Sequence, residues 1–224
     1  MTKYRHELKQ EISPADAAAL RQRLRAVAVP DAHAEGGSYE IRSLYFDNLS
    51  DKALREKLYG ISRREKFRLR CYNREFSLVY LEKKSKLDGL CAKARCTLTQ
   101  EEAERVIACD AGYMSSSEKA LVRELGLKCS TQCLRPKTLV DYKREPFVYP
   151  AGNVRVTLDS DIRTGLGCTD FFDPDCVTVP AGDAGIILEI KWDEFLPDII
   201  RDVVQLGNVR SSAFSKYAAC RAYG

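Results

Sequence analysis

The chain has 224 residues and a formal net charge of +4, and 45% of its residues are hydrophobic and 30% are charged. This length suits one domain, or at most two, and is enough to bury a substantial core. No apolar run is long enough to span a bilayer, and the first residues do not resemble a signal peptide, so we expect a cytoplasmic protein.

Nine cysteines and two histidines are spread along the chain. The odd number and scattered spacing of the cysteines favour reduced thiols. Cys91 and Cys96 with Cys129 and Cys133 are the candidate ligands of a zinc site, but no CxxC pair occurs. We therefore do not expect zinc.

The N-terminal part of the chain is predicted to form two strands, each followed by a helix. The first strand covers residues 5–12, and Ser13-Pro14-Ala15-Asp16 starts a helix that runs to about residue 27. The second strand covers residues 39–46, and residues 51–59 form a short helix.

Three antiparallel strands and two helices are predicted next. The strands cover residues 65–73, 76–84 and 93–98, with residues 85–90 as the second connection. Thr99-Gln100-Glu101-Glu102 is a capping box that opens a helix to about residue 109. A further helix over residues 115–125 is predicted to end at Gly126.

The C-terminal part combines strands with two late helices. Strands are predicted at 138–149, 153–159 and 186–192, an irregular mobile loop at 165–180, and helices at 197–206 and 212–222. Many antiparallel strands with flanking helices predict an α+β fold built on an antiparallel barrel, in a single domain over residues 1–224.

The segment Lys66–Tyr72 alternates in polarity without a break. Lys66, Arg68 and Arg70 share one face of the predicted strand, and Phe67 and Leu69 share the other. Three cations on one face of a strand repel one another. A solvated edge is the ordinary interpretation of one such strand, so the question is whether other strands repeat the pattern.

Six other predicted strands have a charged or polar face of the same kind. The pooled cations are Arg5, Lys9, Lys66, Arg68, Arg70, Lys84, Lys93, Arg95, Arg144, Arg155 and Lys191, and the pooled acids are Glu7, Glu82, Asp159 and Glu189. Like charges on neighbouring strands are destabilising, so this face indicates a polyanionic ligand. In a closed barrel the charged faces would line the lumen, and the apolar faces would lie under helices.

Seven segments occur in an order that resembles a known family. They are Arg-Ser-Leu-Tyr-Phe-Asp-Asn (42–48), Phe-Arg-Leu-Arg-Cys-Tyr-Asn (67–73), Leu-Glu-Lys-Lys-Ser-Lys (81–86), Asp-Tyr-Lys-Arg-Glu-Pro-Phe (141–147), Asn-Val-Arg-Val-Thr-Leu-Asp (153–159), Leu-Glu-Ile-Lys (188–191) and Phe-Ser-Lys-Tyr (214–217). Together they resemble the VTC domain of the triphosphate tunnel metalloenzymes, also called CYTH-like proteins. The resemblance implies an antiparallel tunnel barrel with charged residues inside.

The resemblance also implies roles for individual residues. Residues that act on the transferred phosphate would be Arg68, Arg70, Lys84, Lys93, Arg144, Arg155 and Lys216. Further phosphate ligands would be Lys9, Lys57, Tyr142, Lys191 and Ser215. Glu189 and Glu7 would hold a divalent metal, Mn²⁺ or Mg²⁺. The structural alternative is an ion pair with Lys191 or a neighbouring arginine for Glu189, and with Lys9 for Glu7.

The N-terminal strand departs from the pattern of the wider superfamily. That pattern is E-x-E-x-K, whereas this chain has Arg5, Glu7 and Lys9 at the aligned positions. Hydrolytic members use both acids to hold metal and position water. Replacing one of them with a cation weakens the expectation of a hydrolase and suits a phosphoryl transferase.

The expected function is a polyphosphate polymerase that transfers the γ-phosphate of ATP to a growing inorganic polyphosphate chain. The alternatives are a metal-dependent triphosphatase or polyphosphatase, and a non-catalytic polyphosphate or nucleotide binder. A separate membrane protein is a candidate recipient of the product. Nucleic acid is not expected, because the charged faces offer mainly Tyr72, Tyr80 and Tyr142 for base stacking.

A further basic cluster comprises Arg63, Arg64, Lys83 and Lys86. A solvated surface is its ordinary interpretation, and guidance of a polyanion at the tunnel mouth is the alternative.

Overall fold

The computed structural model of the chain describes residues 5–31, 34–88, 90–183, 185–207 and 214–222. The strands are β1 (His6–Ile12), β2 (Val29–Pro30), β3 (Tyr39–Asp47), β4 (Arg64–Tyr72), β5 (Glu75–Leu87), β6 (Leu90–Leu98), β7 (Arg135–Tyr149), β8 (Val154–Thr164), β9 (Val179–Pro180) and β10 (Ile186–Trp192). The helices are α1 (Pro14–Val27), α2 (Lys52–Leu58), α3 (Gln100–Ile107), α4 (Ala111–Ser116), α5 (Ala120–Thr131), α6 (Asp198–Val203) and α7 (Lys216–Arg221).

One antiparallel sheet, curled into a half-barrel, carries the fold and confirms the predicted architecture. Its order is β1-β10-β8-β7-β3-β4-β5-β6, with β2 added to β7 and β9 added to β8. The two outermost strands, β1 and β6, are not paired with each other in the ladders of the described residues. Side chains connect the two ends of the sheet instead, because Lys84 Nζ on β5 lies 2.8 Å from Glu7 Oε2 on β1.

The outer face of the curled sheet is covered by two separate groups of helices. Helices α3, α4 and α5 cover β3 to β6, where Leu69 and Leu81 pack against Val122. Helices α1 and α6 cover β1, β8 and β10, where Leu20 and Ile200 lie in the core. The apolar side chains of these two clusters therefore point outward under the helices. In the described ranges, no helix combines the length and hydropathy needed to cross a membrane.

A third apolar cluster lies on the concave face and closes one end of the lumen. Tyr217 on α7 stacks on Tyr45 of β3, with ring centroids 4.9 Å apart. The Tyr217 hydroxyl donates to Asp47 Oδ2 over 2.7 Å, and Val140 and Ile187 belong to the same cluster. Helix α7 is thus fixed against the inside of the sheet.

Local sequence signals placed the starts of two helices correctly. Ser13 and Thr99 each accept a hydrogen bond from the backbone N–H three residues later, and Asp16 and Glu102 complete the two capping boxes. The predicted terminal helix is shorter than expected, because α7 begins at Lys216, and residues 212 and 213 lie outside the described ranges.

Residues 85–90 do not form the predicted connection. Strand β5 continues to Leu87, and the ladder with β6 extends through the pair Ser85 and Ala92 to Leu87 and Leu90. The strand pairing leaves Asp88, with a φ of 46°, as the described turn residue, and residue 89 lies outside the described ranges. The lysines of this segment suggested a loop, but cross-strand pairing keeps them in the sheet.

Gly126 does not end a helix, and the helix predicted for 115–125 has different bounds. Gly126 lies inside α5, and a Cβ atom at this position would be 2.7 Å from Met114 Cβ on α4. The glycine therefore permits a close approach of two helices.

The segment 165–180 is irregular as predicted, but the prediction that it is a mobile loop is wrong. Phe171 is 1% exposed and packs in the core with Phe76 and Phe172. The buried Arg42 donates to the backbone carbonyl of Phe171 over 3.4 Å. Aromatic burial and this buried cation hold the segment on the outer face of the sheet.

Replacing Gly126 by alanine tests the close approach of α4 and α5. Alanine is favoured over glycine in a helix interior by about 1 kcal/mol, but the clash with Met114 reverses this gain. We expect Gly126→Ala to lower the free energy of unfolding by roughly 1–3 kcal/mol in urea denaturation. Gly112→Ala is the matched control, because its nearest neighbour would be 3.4 Å away, and it should not destabilise the protein. Equal stability of both variants would contradict the packing described here.

A candidate anion-binding tunnel

The concave face brings most of the predicted site residues into one network of ion pairs and hydrogen bonds. Its members from the sequence prediction are Lys9, Glu7, Lys84, Lys191, Glu189, Arg144, Lys216, Tyr142, Arg70, Arg68 and Lys93. They come from β1, β4, β5, β6, β7, β10 and α7. The period-2 alternation of each strand explains why all of them point to the same space.

Glu82 on β5 is the centre of one half of this network. Its carboxylate is 2% exposed and lies 2.7 Å from Arg68 Nη2 and 3.7 Å from Arg70 Nη1. The ammonium group of Lys93 also contacts it. Burial alone would raise the pKa of Glu82, but the three cations hold the pKa well below its usual range.

Asp159 on β8 is the centre of the other half. Arg144 donates to both of its carboxylate oxygens, over 2.6 and 2.7 Å, and Lys216 Nζ lies 2.5 Å from Oδ2. Burial raises the pKa of Asp159, but the two cations outweigh burial and bring the pKa to about 2. The tyrosine ring of Tyr142 lies under both cations, 4.6 Å from Lys216 Nζ, and its hydroxyl accepts from Arg70.

Glu7 and Glu189 form a carboxylate pair on neighbouring strands. Lys9 Nζ lies 2.9 Å from Glu7 Oε1 and 3.9 Å from Glu189 Oε1, and Lys191 contacts both acids. Burial raises the pKa of Glu189, but Lys191, Lys9 and Arg144 bring it well below the usual range. Both carboxylates are therefore held ionised inside the lumen.

Lys66 is a lumen cation whose charge has little compensation. Its ammonium group lies over the ring of Tyr45 at 5.3 Å, and no ion pair of Lys66 is found among the described residues. Burial, together with the nearby cations Lys84 and Arg68, lowers its pKa to about 8, although Tyr45 acts in the opposite direction. The same positive field, from Arg68, Lys66 and Arg70, outweighs burial at Tyr45 and lowers that pKa to about 7.

Three predicted site residues lie at the margin of the network. Arg155 donates to Asp31 over 2.7 Å and to the Tyr39 hydroxyl over 2.8 Å. Lys57 on α2 has its pKa lowered by burial and by cations that include Lys9. Ser215 caps α7, because its hydroxyl accepts from the Ala218 N–H over 3.4 Å, and its role as a phosphate ligand stays a prediction.

Sequence reasoning gave no role to several side chains that shape the site. Tyr45 and Ser43 on β3 accept hydrogen bonds from Arg68 and Arg70, over 2.7 and 3.3 Å. Their positions at alternate residues of the predicted strand 39–46 are the signal that could have placed them in the lumen.

Arg5, the departure at the start of β1, takes no part in the network. Its Nε lies 2.7 Å from Asp193 Oδ1, and it also donates to the backbone carbonyl of Asn153. The cation that replaces an acid is thus held by a carboxylate beyond the end of β10, away from Glu7 and Glu189.

The remaining charge of the lumen is suited to several oxyanions at once. Arginines offer bidentate contacts to phosphate oxygens, and lysines offer point charges. Each of the four acids contacts at least two cations, and the lumen therefore contains more cations than acids. A curled antiparallel sheet with such a lumen is a candidate anion-binding tunnel.

The chain belongs to the VTC domain family, because the family profile matches residues 4–223. This confirms the resemblance carried by the seven sequence segments. No curated protein matches the chain significantly.

Several solved structures are similar to this chain. A candidate adenylate cyclase from Bacillus halodurans is similar with a TM-score of 0.52 and 16% identity, over 85% of this chain and 81% of that one. A protein from Pyrococcus horikoshii is similar with a TM-score of 0.47 and 16% identity, over 90% and 84% of the two chains. A candidate adenylate cyclase from Vibrio parahaemolyticus has a TM-score of 0.47 and 10% identity, over 90% and 83%.

Neutralising Glu82 tests how much the lumen depends on internal anions. We expect Glu82→Gln to lower the free energy of unfolding by roughly 3–5 kcal/mol, because buried cations lose their partner. Tripolyphosphate should raise the melting temperature of this variant more than that of the wild type, because phosphate replaces the lost charge.

The control is Asp161→Asn, which removes an exposed partner of Arg163 and should cost less than about 1 kcal/mol. A Glu82→Gln protein as stable as this control would show that Glu82 does not stabilise the cationic lumen.

Lys66 gives the lumen a defined pH dependence. Its pKa in the fold, about 8, lies below the ordinary value of 10.5, so its charge destabilises the fold at neutral pH. We expect Lys66→Met to be more stable than the wild type at pH 7 without ligand. The difference in free energy of unfolding between Lys66→Met and the wild type should become smaller as the pH rises from about 8 towards 10.5, because Lys66 loses its proton over this range. Urea denaturation across this range measures the difference, and a constant difference would exclude this explanation.

Proposed function

We propose that this protein is a polyphosphate polymerase that transfers the γ-phosphate of ATP to the end of an inorganic polyphosphate chain. The observation that carries the proposal is the cationic lumen, in which Arg68, Arg70, Lys93, Arg144 and Lys216 converge from four separate elements. Membership of the VTC domain family supports the same assignment.

Phosphoryl transfer suits a site of this composition. The reaction needs alignment of the reacting oxygens and stabilisation of charge on the transferred group, with little covalent chemistry from the protein. Arg68 and Arg70 on one side and Arg144 and Lys216 on the other can hold donor and acceptor phosphates in the same lumen. The acceptor is already an anionic oxygen, so no side-chain base is required.

Glu7 and Glu189 are the residues that would hold a divalent ion. The donor set fits, because it consists of two carboxylates on neighbouring strands and contains only hard oxygen atoms. Thr157, directly across from Glu189 on β8, adds a buried hydroxyl with no hydrogen-bond partner among the described residues. When bound, Mn²⁺ or Mg²⁺ would neutralise charge on the phosphate oxygens.

The alternative functions differ from this one in their products. A triphosphatase or polyphosphatase would use the same lumen with water as acceptor and release orthophosphate. Arg5 favours transfer over hydrolysis, because it removes one acid from the N-terminal strand and turns to Asp193. A non-catalytic binder would leave ATP unchanged. The proposed function also includes a separate membrane protein that receives the polyphosphate.

The decisive experiment follows ATP with Mn²⁺ or Mg²⁺ by ³¹P NMR. A growing signal of internal phosphates together with ADP is the expected result, and Glu189→Gln should abolish it. Orthophosphate as the only product would assign a hydrolase, and unchanged ATP would assign a binder.

Lys93→Met tests the contribution of a single lumen cation. We expect kcat/KM for ATP to fall on the order of a hundredfold, because one preorganised charge at the phosphates is lost. Lys143→Met is the matched control, because Lys143 is exposed on the outer face of β7, and its activity should equal that of the wild type. Equal effects of the two substitutions would contradict a role for the lumen.

A further inference from the structure

Cations face one another across the ends of β4, β5 and β6. Lys84 is directly opposite Lys66 on one side and Lys93 on the other. Two residues nearer the strand ends, Arg64 is directly opposite Lys86. Like charges at opposed positions destabilise a sheet. The positive charge of the lumen therefore continues to the edge of the sheet rather than ending at the site described above.

A cavity of about 470 Å³ begins at this edge and lies between α2, the ends of β4 to β6, and α5. Its charged lining consists of the cations Lys52, Arg63, Arg64, Lys83, Lys86 and Lys128 and the acids Glu56 and Glu65. Cations thus outnumber acids by six to two around this space.

Acids neutralise part of the cavity lining, and on α2 Lys52 Nζ lies 3.8 Å from Glu56 Oε1. Glu65 pairs with Lys83 over 3.0 Å and with Lys128, and Glu124 gives Lys83 a second partner. Arg63 and Lys86, in contrast, form no ion pair with any residue that the structure describes. The cavity keeps an excess of positive charge on the wall formed by these two side chains.

Lys57 connects the cavity with the lumen. Its pKa is lowered first by burial, and then by Arg64, Lys9, Lys86 and Lys84. Two of these cations belong to the cavity edge and two to the lumen. Cations of the lumen and of the cavity edge therefore both act on Lys57, which follows the cavity residue Glu56 on α2.

We propose that this cavity is a second polyanion-binding site, which holds internal phosphates of a polyphosphate chain whose end lies in the lumen. The choice of ligand rests on the proposed function, and the binding site itself rests on the geometry of the cavity. A chain with a charge on every phosphate matches a continuous row of cations. A nucleic acid matches it poorly, because no aromatic side chain is found among the described residues that line the cavity.

Binding of two probes of different length separates the two sites. Tripolyphosphate is short enough to be held by the lumen alone, whereas long-chain polyphosphate reaches the cavity. We expect the double variant Arg63→Glu/Lys86→Glu to bind long-chain polyphosphate on the order of tenfold more weakly than the wild type. Its affinity for tripolyphosphate should stay unchanged. The slope of log Kd against log salt for the long chain should also become shallower, since fewer phosphate contacts release counterions.

The matched control is Arg25→Glu/Lys143→Glu, which makes the same change of charge at exposed positions on α1 and β7. Equal losses for the two double variants, equal losses for the two probes, or wild-type binding of the long chain no tighter than of tripolyphosphate would overturn the inference. Lys86→Glu alone provides a milder variant, and unchanged tripolyphosphate binding verifies its fold.

Calorimetric binding does not depend on turnover, so the inference and the proposed function can fail separately. A protein that binds the long chain through Arg63 and Lys86 but forms no polyphosphate from ATP would refute the polymerase and leave the second site standing. A protein that forms polyphosphate but whose double variant keeps its affinity for the long chain would support the polymerase and refute the second site.

Discussion

Repulsion among cations on the concave face is the main constraint on this structure. Four acids offset this repulsion, and each of them contacts two or more cations. They are Glu7, Glu82, Asp159 and Glu189. Buried charges need such partners, because desolvation otherwise makes each of them costly. The helices on the outer face supply the apolar burial that allows the sheet to keep this arrangement. The side chains that would bind an anionic ligand are thus the same ones whose charges must be balanced for the fold to be stable.

The alternation of polarity was enough to predict the lumen, because period 2 in a strand assigns each side chain to a face. Lys66, Arg68 and Arg70 illustrate this, since the structure places all three where the sequence pattern puts them. The ion-pair partners of the individual side chains could not be predicted in the same way. Asp159 meets Lys216 and Arg144 only because β8, β7 and α7 are neighbours in space, and strand order is not encoded in any local pattern.

The errors also have physical causes. Gly126 was predicted to end a helix because glycine is a poor helix former. Its presence inside α5 is explained by the close approach of Met114 on α4. Residues 165–180 resembled a free loop because they lack periodicity, although Phe171 is anchored in the core. In both cases tertiary contacts override local preference, and the contact partner lies outside the window that local sequence rules consider.

The route of the chain through the site has a consequence for its synthesis. Glu7 comes from the first strand, Lys84 from the middle of the sequence and Lys216 from the last helix, and β1 pairs with β10. Contacts between such distant positions make folding slow relative to helical proteins of the same size. The tunnel is therefore incomplete on the ribosome until α7 has emerged. Glu82 neutralises Arg68 and Lys93 within three strands that are adjacent in sequence, so this part of the lumen does not need α7 for its charge balance.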